Sequence, residues 1–437
     1  MFKPKQDNKV LNTIERENQR QKSVLRLIPS ENYVSEGVGE ALSSSFGNKY
    51  SEGYPKRRYY QGNENVDELE TLAIERAKKL FKVPYANVQP YSGSIANAAV
   101  YFSLLKYNDV ILGMGLNSGG HLTHGYPKIT FSGKYFRSYS YSVDHNGFID
   151  YDDLYKLALE HKPKLIISGA SSYPRSIDFT KIGQIADEIN AYHMADISHI
   201  AGLIVGGAHS SPVKYAHIVT TTTHKTLRGP RGAMILVTEK GLQKNPDLAK
   251  NINKGVFPGM QGGPHENTIA GIAVCLKEAT TREFREYASQ IVKNAQYLAV
   301  SLKEKGFNLV SGGTDNHLLL LNFSDTGIDA WLLAWALEFG GIIVNRNTIP
   351  NEPGSSFHPS GIRLGTPAVT SLGLKENDME RIGCWIAEIA EITRKYQENA
   401  GSLDRKIRLQ LKGLLSKDSR IIEIAKEIKD FVNLFFY

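Results

Sequence analysis

A lysine that closes an apolar, β-branched run can do chemistry that a surface lysine cannot. In Val219-Thr220-Thr221-Thr222-Thr223-His224-Lys225-Thr226-Leu227-Arg228-Gly229-Pro230-Arg231-Gly232 the amine of Lys225 follows a strand-like stretch and sits among hydroxyls, a histidine and two arginines. Desolvation and nearby cations lower an amine's pKa, so such a lysine attacks a carbonyl near neutral pH and holds it as a Schiff base. The threonines beside it can hold a phosphate. Upstream, Ala195-Asp196-Ile197-Ser198-His199-Ile200-Ala201-Gly202 ends another apolar run. A strand, a loop or helix and a further strand would bring Asp196 and Lys225 to one edge of a sheet.

Other stretches add candidates. In Val88-Gln89-Pro90-Tyr91-Ser92-Gly93-Ser94-Ile95-Ala96-Asn97 the Ser-Gly-Ser opens a helix, where amides and hydroxyls suit a phosphate dianion; the competing reading is a plain serine N-cap. Phe257-Pro258-Gly259-Met260-Gln261-Gly262-Gly263-Pro264 reads by composition as a turn. His121 and His124, three apart, raise the question of metal, but glycines flank them and no cysteine or acidic partner is near, so no metal site is expected. Arg363, in Ser360-Gly361-Ile362-Arg363-Leu364-Gly365-Thr366-Pro367, carries a guanidinium fork that binds carboxylates in a planar, bidentate way. The tyrosine-rich loop from Ser30-Glu31-Asn32-Tyr33 through Asn48-Lys49-Tyr50-Ser51-Glu52-Gly53-Tyr54-Pro55 to Arg57-Arg58-Tyr59-Tyr60-Gln61-Gly62 is too dense in hydrogen-bonding aromatics for a linker.

Taken together, the Asp196 run and the His224-Lys225 pair resemble serine hydroxymethyltransferase (glycine hydroxymethyltransferase), a family of pyridoxal phosphate-dependent enzymes of the aspartate aminotransferase-like fold type I. The resemblance runs from Leu27 to Phe435-Phe436-Tyr437. It implies that Lys225 holds the cofactor, that His224 is its catalytic neighbour and that Asp196 sits on the pyridine nitrogen, keeping the ring an electron sink. It implies that Ser92, Gly93, Ser94 and Tyr50 surround the cofactor phosphate, with Gly262 and Gly263 reaching it from the neighbouring subunit of a homodimer with shared active sites. His121 would lie flat against the ring, with Ser171 and His199 supporting its phenolic oxygen and face. Ser30, Tyr60 and Arg363 would bind the substrate carboxylate, Glu52 would handle protons, and Leu116, Gly120, Leu122, Asn347 and Phe357 would bind folate.

The implied reaction is reversible transfer of the hydroxymethyl carbon of L-serine to tetrahydrofolate, giving glycine and methylene-tetrahydrofolate. This is a transferase activity of one-carbon metabolism and amino-acid biosynthesis. The alternative is a folate-independent β-hydroxy amino acid aldolase on the same scaffold. The chain departs from the family's commoner residues at Pro29, Ser198, Met260, Ser356, His358 and Leu372; Ser356 and His358 lie in the loop before Arg363, where the aldolase reading finds its support.

These residues need elements to position them. The 437 residues, 41% hydrophobic and 22% charged, exceed what one core normally fills and fit an ordinary soluble globular protein. Apolar runs at 109–112, 164–167, 193–197, 217–220 and 233–237, alternating with helical periodicity such as 64–81, predict a mainly parallel sheet. Beyond about 283 the expectation is a long helix through Leu302, strands near 307–311, 317–323 and 341–345, and helices at 328–338, 376–397 and 404–434. A further helix is expected over 11–27, stopped by Pro29. With the resemblance, the reading is an α/β fold: an N-terminal helical arm (1–50), a large domain with a seven-stranded sheet between helices (51–282) that binds the cofactor, and a smaller α+β C-terminal domain (283–437).

No apolar stretch reaches the ~18 residues a spanning helix requires, so no membrane is expected. Met1-Phe2-Lys3-Pro4-Lys5-Gln6-Asp7-Asn8 has no apolar secretory core behind it and suggests the cytoplasm. The net charge of +7 is dispersed without a compact basic block, so no nucleic acid is expected, and it would favour an anionic ligand such as folate. Cys275 and Cys384 are too few for a disulfide framework.

Overall fold

Five nearly unbroken aliphatic runs build the centre of the molecule. The computed structural model describes residues 7–355, 357–400 and 403–436, so Ser356, Gly401, Ser402, Tyr437 and the six residues before Asp7 lie outside the described residues. Seven strands form one sheet in the spatial order Tyr85–Asn87, Ala233–Val237, Ile218–Thr222, Tyr192–Asp196, Leu165–Ser168, Val110–Met114, Arg137–Tyr141. From Ile218–Thr222 to Arg137–Tyr141 every pairing is parallel. Ala233–Val237 runs antiparallel to both its neighbours. Leu165, Ile166, Ile167, Met194, Val219 and Leu236 are fully buried. Helices covering both faces make such strands continuous apolar runs rather than alternations. The edge strand Arg137–Tyr141 alternates arginine, serine and tyrosine, is only partly buried, and carries no such run.

The helix Glu64–Phe81 falls where the periodicity places it and stops at Lys82, whose φ of 56° lets its N–H reach Lys78 O. In the C-terminal part, the helix Arg282–Glu304 leads to a four-stranded antiparallel sheet ordered Asn308–Leu309, Leu318–Asn322, Gly361–Gly365, Asn345–Asn347. Buried apolar side chains separate accordingly. Val38 through Ile291 contribute to a cluster beneath the large sheet. Leu25 and Leu27 join residues from Ala295 to Val432 in another.

Two expectations need correction. The first helix ends at Gln21 rather than running through Leu27. Leu25 and Arg26 instead form a two-residue strand parallel to Ile342 and Ile343, because Leu25 and Leu27 are fully buried in the C-terminal core and their amides bond Gly341 O and Ile343 O. The segment 404–434 is two helices, Arg405–Leu415 and Ser419–Asn433. Asp418 breaks it, its carboxylate accepting from the amides of Arg420 and Ile421 as a new N-cap. No described helix is long and apolar enough to cross a membrane.

Candidate active site

The C-terminal ends of the parallel strands open into a cavity of about 510 Å³ lined by Ser30, Ser92, Gly93, Ser94, Leu116, Gly120, His121, Leu122, Ser171, Asp196, His199, His224, Lys225, Asn347 and Arg363, among others. Asp196 ends its strand opposite Thr220 of the neighbouring one, and Lys225 lies in the turn three residues beyond that neighbour's end. That turn is fixed from several sides. Gly229 N donates to Thr223 O at 2.7 Å, Arg228 adopts φ 62°, and Asn32 Nδ2 donates to Lys225 O at 2.8 Å. Gly202 allows the closest approach: a β-carbon there would run into the backbone of Thr226 and Leu227. Burial pushes the Lys225 amine down to about 8, with Arg363 and Arg231 adding to the shift and Asp196 opposing it.

Asp196 is the anionic centre. Although burial pushes its pKa up, hydrogen bonding and charge from His124, the proximity of His121 and a bond from Asn97 hold the carboxyl far below its ordinary value. Asn97 Nδ2 donates to Oδ2 at 2.8 Å, His124 Nε2 lies 3.1 Å from the same oxygen, and Ser198 donates to Oδ1 from N at 3.1 Å and from Oγ at 2.6 Å. Sequence reasoning missed Asn97 and the partnership of His124. It noted Ser198 only as a departure from alanine, yet the extra hydroxyl both bonds Asp196 and accepts Thr222 N at 3.1 Å. His121 is pushed down to about 4 by burial and by His124, and its Nδ1 lies 2.7 Å from Thr123 Oγ1. His199 is neutral through burial beside Lys225, its Nδ1 3.2 Å from His317 Nε2.

The residues fit a phosphorylated, aromatic aldehyde. Ser92 occupies the N-cap position of the helix Gly93–Leu104, but its side chain makes no capping bond, which leaves the first-turn amides and the hydroxyls of Ser92 and Ser94 facing the cavity. Arg231, which the sequence reading noted only as a cation near Lys225, also lines the cavity. Nδ1 of His224 is buried without a hydrogen-bond partner, and burial pushes that imidazole down to about 3.

Arg363 comes from the middle of the strand Gly361–Gly365. Its Nε donates to Asn345 Oδ1 at 3.0 Å and its Nη1 to Ser171 O. Among the described residues no carboxylate lies within ion-pair distance of it, and burial lowers its pKa to about 10. A buried guanidinium without a counter-charge is a receptor for a carboxylate.

Six candidates stand elsewhere, five of them together. Tyr50, Glu52, Tyr60, Gly262 and Gly263 do not line the cavity. They form their own cluster: Tyr50 Oη donates to Glu52 Oε1 at 3.3 Å, the Tyr50 and Tyr60 rings meet edge-on at 5.1 Å, and a β-carbon on Gly263 would touch the Tyr50 ring at 3.4 Å. Tyr50 is 55% and Tyr60 46% exposed. Behind them, Ser51 Oγ donates to the buried Glu266, which burial pushes up to about 7. Phe357 is 83% exposed and also lies off the cavity.

The sequence profile of the family described as Serine hydroxymethyltransferase matches residues 4–386. A serine hydroxymethyltransferase of Acidothermus cellulolyticus is 52% identical over 395 residues, covering 90% of this chain and 91% of that protein. One of Desulfotalea psychrophila is 53% identical over 378 residues, covering 86% and 87%.

Proposed function

The chain belongs to the serine hydroxymethyltransferase family, and we propose that Lys225, Asp196 and Arg363 carry in it the reversible transfer of the hydroxymethyl carbon of L-serine to tetrahydrofolate, giving glycine and methylene-tetrahydrofolate. One observation carries the assignment of residues: a desolvated amine, an ionised carboxylate and a guanidinium without a counter-charge converge on one cavity. The cofactor is pyridoxal phosphate, which supplies an electron sink for the bonds at the amino acid's α-carbon.

The chain's own residues do the rest. Lys225, neutral in an appreciable fraction near neutral pH, anchors the aldehyde through its Nζ. Asp196, held ionised by Asn97, His124 and Ser198, would keep a proton on the cofactor's ring nitrogen. Ser92, Gly93 and Ser94 would bind the phosphate, and His121, Ser171, His199 and His224 would orient the ring. Arg363 fixes the amino-acid carboxylate with Ser30, so that the bond to be broken is set by orientation. Leu116, Gly120, Leu122 and Asn347 form the folate side of the cavity, and Phe357, which lies off it, enters the reading through the resemblance alone.

Tyr50, Glu52, Tyr60, Gly262 and Gly263 enter the same reading as a partner's contribution in a homodimer, with Glu52 handling the proton of the substrate hydroxyl. The exposure of Tyr50 and Tyr60 and the separation of all five from the protomer's own cavity support it. The division into an arm (1–50), a large domain (51–282) and a small one (283–437) is part of the proposal, supported by the separate apolar clusters. So is the cytoplasm, which suits an exposed free thiol at Cys384.

Borohydride reduction of the cofactor-loaded protein followed by peptide mass spectrometry should place the cofactor on Lys225, and Lys225→Ala should abolish the adduct and the visible absorption. Arg363→Ala should keep the adduct and weaken serine and glycine by roughly 2–5 kcal/mol. Glycine should shift the visible spectrum and tetrahydrofolate should strengthen the shift. A spectrum indifferent to folate, with threonine cleaved faster than serine, would make the protein the aldolase instead.

A further inference from the structure

The strands Asn345–Asn347 and Gly361–Gly365 pair antiparallel, with Asn347 opposite Gly361, so the described residues between them belong to a long hairpin connection. Loops of that length are uncommon without a function or an internal tie. Here the tie is one carboxylate. Glu352 Oε1 accepts from Gly354 N at 2.8 Å, Ser360 N at 3.2 Å and Ser360 Oγ at 2.6 Å. Its Oε2 accepts from Ile349 N at 3.1 Å and Ser360 N at 3.0 Å. The start, middle and end of the loop are thus gathered onto one side chain.

The backbone is shaped for this. Asn351 turns through φ 55°, and a β-carbon on Gly354 would come within 2.8 Å of Glu352 Oε1. Burial pushes the Glu352 pKa up, but the bonds from Ser360, Gly354 and Ile349 outweigh it and hold the carboxyl below its usual value, so it is ionised at neutral pH. The closed loop has a functional neighbour. Asn347 and Thr348 line the main cavity, and Thr348 with Leu116 continues into an adjoining space of about 430 Å³ whose wall includes Glu352, Gly354 and Ser355. Asn347 Nδ2 in turn donates to Ser172 Oγ at 3.2 Å and to the neighbouring Thr348 O at 2.7 Å.

We propose that Glu352 is a positioning residue for the co-substrate: its ionised carboxylate closes the 348–360 loop at the base and thereby sets Asn347 and Thr348 against the pterin face of the cavity. This rests on the folate-dependent reading of the site. Glu352 touches neither Lys225 nor Arg363, so the amino-acid half of the site is independent of it. Ser360, whose amide and hydroxyl it holds, is the residue that hands the loop back to the strand bearing Arg363.

The test compares the holoenzyme with Glu352→Gln, which keeps the shape but sets an amide NH₂ against backbone N–H donors, and with Glu352→Asp. Hydrogen exchange without folate should accelerate about tenfold or more at the amides of 349, 354 and 360 in Glu352→Gln. The KM for tetrahydrofolate should rise about tenfold or more, while cofactor loading, glycine affinity and folate-independent cleavage of allo-threonine stay within about twofold of the parent. Glu352→Asp should fall between. Faster exchange with an unchanged KM would overturn the proposal, as would an equal fall in allo-threonine cleavage, which would mean general damage to the site. If the parent itself shows no folate-dependent turnover, it is the proposed function that fails, and unaltered exchange in Glu352→Gln would then also remove the clamp.

Discussion

Lys225 costs the fold something at neutral pH. An amine pushed down to about 8 by burial carries a penalty wherever it is protonated in both folded and unfolded chains. The penalty is therefore full below pH 8, shrinks as pH rises toward the ordinary lysine value and vanishes above it. Lys225→Met, an uncharged side chain of similar reach, should make the cofactor-free protein about 2–3 kcal/mol more stable near neutral pH by urea denaturation, with the gain shrinking steadily toward about pH 9.5. A gain independent of pH would show that the amine is not desolvated. Lys225, Asp196 and Arg363 were legible in the sequence because each is an ionisable group in an apolar run, which is an unusual thing to bury. Asn97, His124 and Ser198 were not legible as the set that holds Asp196. A polar residue acquires such a role only when folding brings it to a partner far away in the chain, and nothing in Ser94-Ile95-Ala96-Asn97 announces Asp196.

At the scale of elements, the site depends on how closely the helix that begins after Asp196 approaches the turn that bears Lys225. Gly202 lies in the helix Ala201–Val205, its N–H donates to Thr226 Oγ1 at 3.0 Å, and no β-carbon fits between it and the Thr226 backbone. Gly202→Ala should cost ~1–3 kcal/mol through overpacking and should weaken cofactor binding, because the backbone that yields is the lysine's own. Gly413, in a helix where an added β-carbon would meet nothing within 4 Å, is the control: Gly413→Ala should be neutral or stabilising by up to ~1 kcal/mol. Equal losses in the two variants, followed by thermal melting and cofactor titration, would dismiss the close-approach argument. The same scale explains what the sequence hid. Parallel strands buried on both faces announce themselves as aliphatic runs, whereas Arg137–Tyr141, at the wet edge, and Leu25–Arg26, buried by a distant core, have no local signature.

The whole molecule poses a question that a single protomer leaves open, since Tyr50, Glu52, Tyr60, Gly262 and Gly263 sit together, the two tyrosines exposed, while the cavity they were expected to serve lies elsewhere. The resemblance implies a neighbouring subunit as the source of Gly262 and Gly263, but it places Tyr50, Glu52 and Tyr60 in the site without saying which copy of the chain supplies them. A two-fold dimer resolves this by symmetry, each patch completing the partner's cavity and each cavity receiving the partner's patch. The consequence is quantitative. Lys225→Ala and Glu52→Ala homodimers should both be inactive in serine cleavage. In a mixed dimer, one site combines both lesions and the other combines the intact Lys225 of one protomer with the intact Glu52 of the other. If subunits exchange at random, half the dimers are mixed and half their sites are intact, so activity should return to about a quarter of the parent level. Sites built within one protomer predict no recovery at all, so mixing the two inactive proteins, dissociating and reassociating them, and assaying serine cleavage distinguishes the architectures directly.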